Sequence, residues 1–118
     1  MSHDWFAVSQ EGVVQVLALA VPFHVDSADF DRLHDAIMSA VEVRVGSKWV
    51  IDLAGLHYMG SSVLGLMVNL RQRVRQGGGK LVLCGMNPKL HQVFRTCSLE
   101  KLFVIRTDRD DAVEAVTR

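Results

Sequence analysis

Apolar residues fall into short compact runs that alternate with stretches where they recur every three or four positions, the signature of strands alternating with amphipathic helices. Trp5 to Val8 and Val13 to Ala20 read as two strands. Gln10-Glu11-Gly12 between them suits a hairpin turn with Gly at positive φ. Pro22 ends the second run, and Asp26 and Ser27 offer an N-cap to a helix in which Phe30, Leu33, Ile37 and Val41 share one face. Trp49-Val50-Ile51 is a continuous apolar run that closes at Asp52-Leu53, as a central strand covered on both faces would. Val63, Leu66, Met67, Leu70 and Val74 form the next helical stripe, stopped by Gly77-Gly78-Gly79. Leu81 to Cys84 is a strand. Asn87-Pro88 places a cap and then Pro at the first helical position, followed by a stripe of Leu90, Val93, Phe94 and Cys97. Phe103-Val104-Ile105 is a last strand, and Thr107-Asp108 caps a final helix that uses Ala112, Val113 and Val116.

The predicted order is ββαβαβαβα. Strands joined through helices run parallel, so the expectation is an α/β fold with a mixed four- or five-stranded sheet, about four helices and an antiparallel opening hairpin. No Pro/Ser-rich linker, repeat or low-complexity tract divides residues 1–118, so one domain is expected. Hydrophobic residues make up 49% and charged residues 22% of the chain, which suits an ordered core.

Charge narrows the function classes. Lys plus Arg and Asp plus Glu each total 13, so no net field draws the chain to nucleic acid or anionic lipid. The distribution is uneven: residues 1–31 hold five acids and no Lys or Arg, whereas residues 71–101 hold seven basic residues against Glu100 alone. Arg71, Arg73 and Arg75 lack interleaved aromatics, so direct nucleic-acid binding is not expected. Cys84 and Cys97 lie in apolar surroundings and read as small buried hydrophobes rather than bridge partners. The apolar run Val13 to Phe23 is too short for a bilayer, which takes about 20 residues, and no basic leader precedes it. The expectation is a cytoplasmic protein without membrane insertion.

In parallel α/β sheets working groups gather at the carboxyl ends of strands. Here that is the segment from Ala54 to Ser62. Asp52 at the strand end is suited to orienting backbone amides of this loop. One of Ser61 and Ser62 reads locally as a helix N-cap, worth about 1 kcal/mol; both cannot be, which frees the other. Rival chemistry lacks parts. Gly60-Ser61-Ser62-Val63-Leu64 has Leu where a nucleophile elbow needs Gly. Gly77-Gly78-Gly79-Lys80 lacks the spacing of a phosphate loop. Cys84, His91 and Cys97 match no zinc spacing. No catalytic residues, metal or cofactor are expected.

Val50-Ile51-Asp52-Leu53 followed by His57-Tyr58-Met59-Gly60-Ser61-Ser62-Val63-Leu64-Gly65 resembles the signature of the STAS family, anti-sigma factor antagonist type. The Gly-rich turn before Leu81 and the closing strand and helix fit as well. The resemblance implies a partner that is an anti-sigma factor and serine kinase of the histidine-kinase-like ATPase fold, with release on phosphorylation of the serine at the helix start. Ser61 matches that serine. Met59, Gly60, Ser61, Ser62 and the following helix face at Asn69 and Arg73 become the expected partner surface. Two departures stand out: Gly60 replaces an acidic residue of the family pattern, and Val63 replaces a common Gly. Alternatives are a STAS module that binds without phosphorylation, as a scaffold or transport-system accessory, and a small-ligand binder or enzyme on a similar frame. A weak homodimer is compatible with either binding reading.

Overall fold

The computed structural model describes residues 5–22, 25–41 and 45–118; Phe23, the last residue of the apolar run noted above, lies outside them. The chain opens with the hairpin of β1 (Phe6–Glu11) and β2 (Val14–Leu19). Four further units follow: α1 (Ser27–Ala40) and β3 (Lys48–Asp52), α2 (Ser61–Gln76) and β4 (Lys80–Cys84), α3 (Pro88–Thr96) and β5 (Val104–Arg106), then α4 (Arg109–Thr117). A single 3-10 turn, Leu99–Lys101, separates α3 from β5.

The hairpin departs from expectation in one respect. β1 continues through Ser9, Gln10 and Glu11, and the turn is Gly12-Val13, with Gly12 at φ 63. β1 is the edge of the sheet and is mostly exposed, so nothing requires its second half to be apolar. The polar residues that look like a turn are strand.

All five strands lie in one sheet in the order β1-β2-β3-β4-β5, with only β1 antiparallel to its neighbour. Each parallel strand is added on the same side of its predecessor, so right-handed crossovers put every connecting helix on one face. The burial follows: α1, α2 and α3 contribute Leu33, Ile37, Leu66, Met67, Leu70, Leu90 and Phe94 to a core with Leu17, Leu19, Trp49, Ile51 and Leu83. α4 connects no strands and covers the other face, where Ala112 and Val116 meet Val14, Val16, Val50, Val82 and Cys84. Successive β3 residues alternate between these cores, which is why the sequence there is continuously apolar. Val63, Leu66, Met67, Leu70 and Val74 of α2 are all buried as the spacing predicts, each large one stabilising the fold by about 1.5–3 kcal/mol.

Three helices are capped by a side chain: Asp26 accepts from the Asp29 amide, Asn87 from that of Leu90 and Asp108 from that of Asp111, at 2.8, 2.8 and 2.9 Å. Cys97 is exposed at the end of α3, against the expectation of burial. The helix stops at Thr96, so Cys97 no longer continues the stripe, and Phe103 takes the space beside Phe94, their rings 5.6 Å apart and edge to face.

Candidate functional site

Between β3 and α2 the chain crosses the carboxyl end of the sheet without regular structure. It is pegged to the core by every third side chain: Leu53, Leu56 and Met59 are 0, 2 and 1% exposed, and Val63 follows within α2. Ala54, Gly55, His57 and Tyr58 lie on the outside, as do Ser61 and Ser62. Burial of these pegs thus turns a short loop into a fixed platform.

Its polar supports come from both ends. Asp52, at the tip of β3, accepts from the Ala54 amide through Oδ1 at 2.9 Å. Its other oxygen takes two hydrogen bonds from Arg109 at the start of α4, from Nε at 3.1 Å and from a terminal nitrogen at 2.8 Å. Asp52 thus links an amide at the loop's root to the last helix. The carboxylate raises the pKa of the guanidinium, chiefly through this hydrogen bond. Gly85 makes the turn possible from the side of β4. It has φ 76, and a Cβ there would stand 2.7 Å from Asp52 Oδ1 and 2.9 Å from the Ala54 nitrogen, so any side chain would break the contact. On the far side Asn87 donates its amide to the carbonyls of His57 and Leu56, at 3.2 and 3.4 Å.

The loop delivers Ser61 and Ser62 to the first two positions of α2. Neither is the N-cap, contrary to the local reading. That position is Gly60, with extended backbone and no side-chain cap bond, and the first turn holds no acid. The positive end of the helix dipole and its first amides thus receive no anion from the cap residue or the first turn. Both serines and Gly60 border a cleft of about 470 Å³ between the starts of α1 and α2, walled by Val21, Val25 and Phe30, with Asp31 on its margin.

The other expected contact residues divide. Asn69 is exposed on α2 and lies 3.3 Å from His34 Nε2 of α1. Arg73 is half-buried, its Nε donating to the Val41 carbonyl at 3.3 Å. Both border the α1–α2 seam, about two and about three turns beyond Ser62. Met59 is corrected: it is a core residue, because its side chain is the third peg, and cannot itself meet a partner. Tyr58 is the exposed apolar side chain there instead. The sequence reading also missed Arg109 and the second role of Asn87. Asn-Pro announced a cap; nothing local announced what the other half of that amide would touch.

A family model described as the STAS domain matches residues 7–112, and the chain belongs to that family. Over 102 residues it is 28% identical to the anti-sigma F factor antagonist of Paenibacillus polymyxa, covering 86% of this chain and 85% of that one. Among solved structures it resembles an anti-sigma-factor antagonist (STAS) domain protein from Planctomyces limnophilus, with a TM-score of 0.85 at 22% identity over 96% of this chain and 98% of the other. It also resembles an anti-sigma factor antagonist from Mycobacterium paratuberculosis, with a TM-score of 0.78 at 22% identity over 96 and 93% of the two chains. Among the described residues no helix is long and apolar enough to cross a membrane.

Proposed function

We propose that the chain is a cytoplasmic anti-sigma factor antagonist that acts in transcription regulation. It binds a serine kinase of the histidine-kinase-like ATPase fold through Gly60, Ser61, Ser62 and the α2 face at Asn69 and Arg73. Transfer of the γ-phosphoryl group of ATP to Ser61 Oγ, with the hydroxyl proton passing to a base of the kinase and ADP leaving, ends the complex. The observation that carries this reading is an exposed serine at the first position of a helix whose N-terminus has no side-chain cap, in a chain similar to an anti-sigma F factor antagonist.

The charge arithmetic supports a switch by occlusion. Phosphate adds about −1.5 to −2 charges at neutral pH. At Ser61 those charges face open helix amides, so the domain keeps its fold. A partner surface fitted to a neutral hydroxyl meets a hydrated dianion instead, and its desolvation cost drives release.

Gly60 favours a second reading, in which binding persists without phosphorylation, because the acid that precedes the serine in the family pattern is missing. Purified partner ATPase with wild type, Ser61→Ala, Ser62→Ala, Ser61→Glu and Asn69→Glu separates the two. The expected result is phosphate incorporation lost in Ser61→Ala but kept in Ser62→Ala. Ser61→Glu stays folded, and both Glu variants bind at least about tenfold more weakly. Phosphate on Ser62 overturns the assignment; binding with no incorporation supports the constitutive reading.

A further inference from the structure

We infer that Asn87 is the positioning residue of the serine loop, holding it through the same side chain that caps α3. The two roles use opposite ends of one amide. Oδ1 accepts from the Leu90 amide at 2.8 Å, which fixes the orientation of the group, because a flipped amide would set its NH2 against an N–H. Nδ2 then faces the loop, where its two hydrogens reach the carbonyls of His57 and Leu56 at 3.2 and 3.4 Å. These carbonyls directly follow the buried Leu56 peg and precede Met59 and Gly60, so they govern how the chain enters α2. Asp52 holds the root of the loop through Ala54; Asn87 holds its middle. A loop so short needs both, since its exposed residues gain little from burial. Pro88 stiffens the support: it follows Asn87 at the first helical position, where its fixed φ keeps the cap residue extended and aimed at the loop. The cap of α3, 30 and 31 residues downstream of the two carbonyls it holds, is thereby part of the device that presents Ser61.

Asp and Ser cap helices about as well as Asn, yet neither can donate two hydrogens. Asn87→Asp keeps the cap and turns a carboxylate toward two carbonyl oxygens, Asn87→Ser keeps the cap and withdraws the reach, and Asn87→Ala loses both. Hydrogen exchange of the whole chain, without partner, reads segments 53–60 and 88–96 separately. The expected outcome is exchange in 53–60 faster by about tenfold in the Asp and Ser variants with 88–96 unmoved, and both segments faster in the Ala variant. An unchanged loop in the Asp and Ser variants overturns the inference, as does loosening of the loop only in step with α3. That this loop meets a partner rests on the function proposed above. Its weakness would show differently: a variant with a loosened loop that binds the purified ATPase as tightly as wild type strikes that reading and leaves the positioning role standing.

Discussion

Cys84 ends β4 with no exposed surface, facing the α4 side of the sheet. Burial first, and the Asp52 charge second, push its thiol from an ordinary value near 9.0 up to about 12. Cys97 is exposed just past α3. Because the thiolate is the nucleophile, a thiol reagent at pH 8 should modify one cysteine per folded chain. Mass spectrometry should find the label on Cys97, and Cys84 should react only on unfolding. The sign of the pH effect follows from the raised value. Below about pH 9 the thiol is neutral in both states and its contribution is intact; between about 9 and 12 only the unfolded chain ionises, so stability falls as pH rises. Cys84→Ala should flatten that alkaline decline in urea melts, and an unaltered slope would show that Cys84 does not titrate differently on folding. Single residues were also where sequence reading erred. Cys97 and Met59 exchanged their expected environments, because a stripe at helical spacing says nothing about where the helix stops, and a Met beside polar neighbours can still be a peg.

Capping separates the helices. α1, α3 and α4 carry the signals their sequences advertise, and each cap bond forms. α2 begins at a glycine whose backbone is extended, at φ −86 and ψ −179, like an ordinary cap. A Cβ on Gly60 would meet nothing nearer than a Tyr58 ring carbon at 3.7 Å. Gly60→Asp therefore fits without strain and supplies both a cap acceptor and a charge for the dipole. Replacing Gly by a good cap gains a few tenths of a kcal/mol, and the charge adds about 0.3–1 kcal/mol. A rise of a few degrees in Tm is expected for a chain this size, measurable by calorimetry. A fall in Tm would mean that the loop needs Gly60 for a reason other than its dihedrals. The strands were legible to different degrees. β3 and β4 announced themselves by continuous apolar runs, whereas the far half of β1 was hidden because an edge strand obeys neither core.

Across the whole molecule the architecture followed from periodicity, and the place of the β3–α2 loop at the carboxyl end of the sheet followed from topology. What the sequence withheld were the long-range polar contacts, since Asp52 meets Arg109 across 57 positions and no local pattern encodes such a pair. That pair joins the serine loop to the helix on the opposite face. Asp52 is 14% and Arg109 39% exposed, so solvent screens the interaction in part. Arg109→Ala should cost about 1 kcal/mol by chemical denaturation, with the loss shrinking in high salt. A salt-independent loss would assign the effect to packing of the arginine stem. The order of the strands in space equals their order in the chain. Each new strand finds its docking edge already laid down by the one before it, so a chain emerging from the ribosome can assemble by accretion, from the hairpin outward, without waiting for a distant segment to insert. The last helix is the exception: until it arrives, Val14, Val16, Val50 and Val82 face water together. Before α4 docks, that uncovered valine face is where nascent chains would clump.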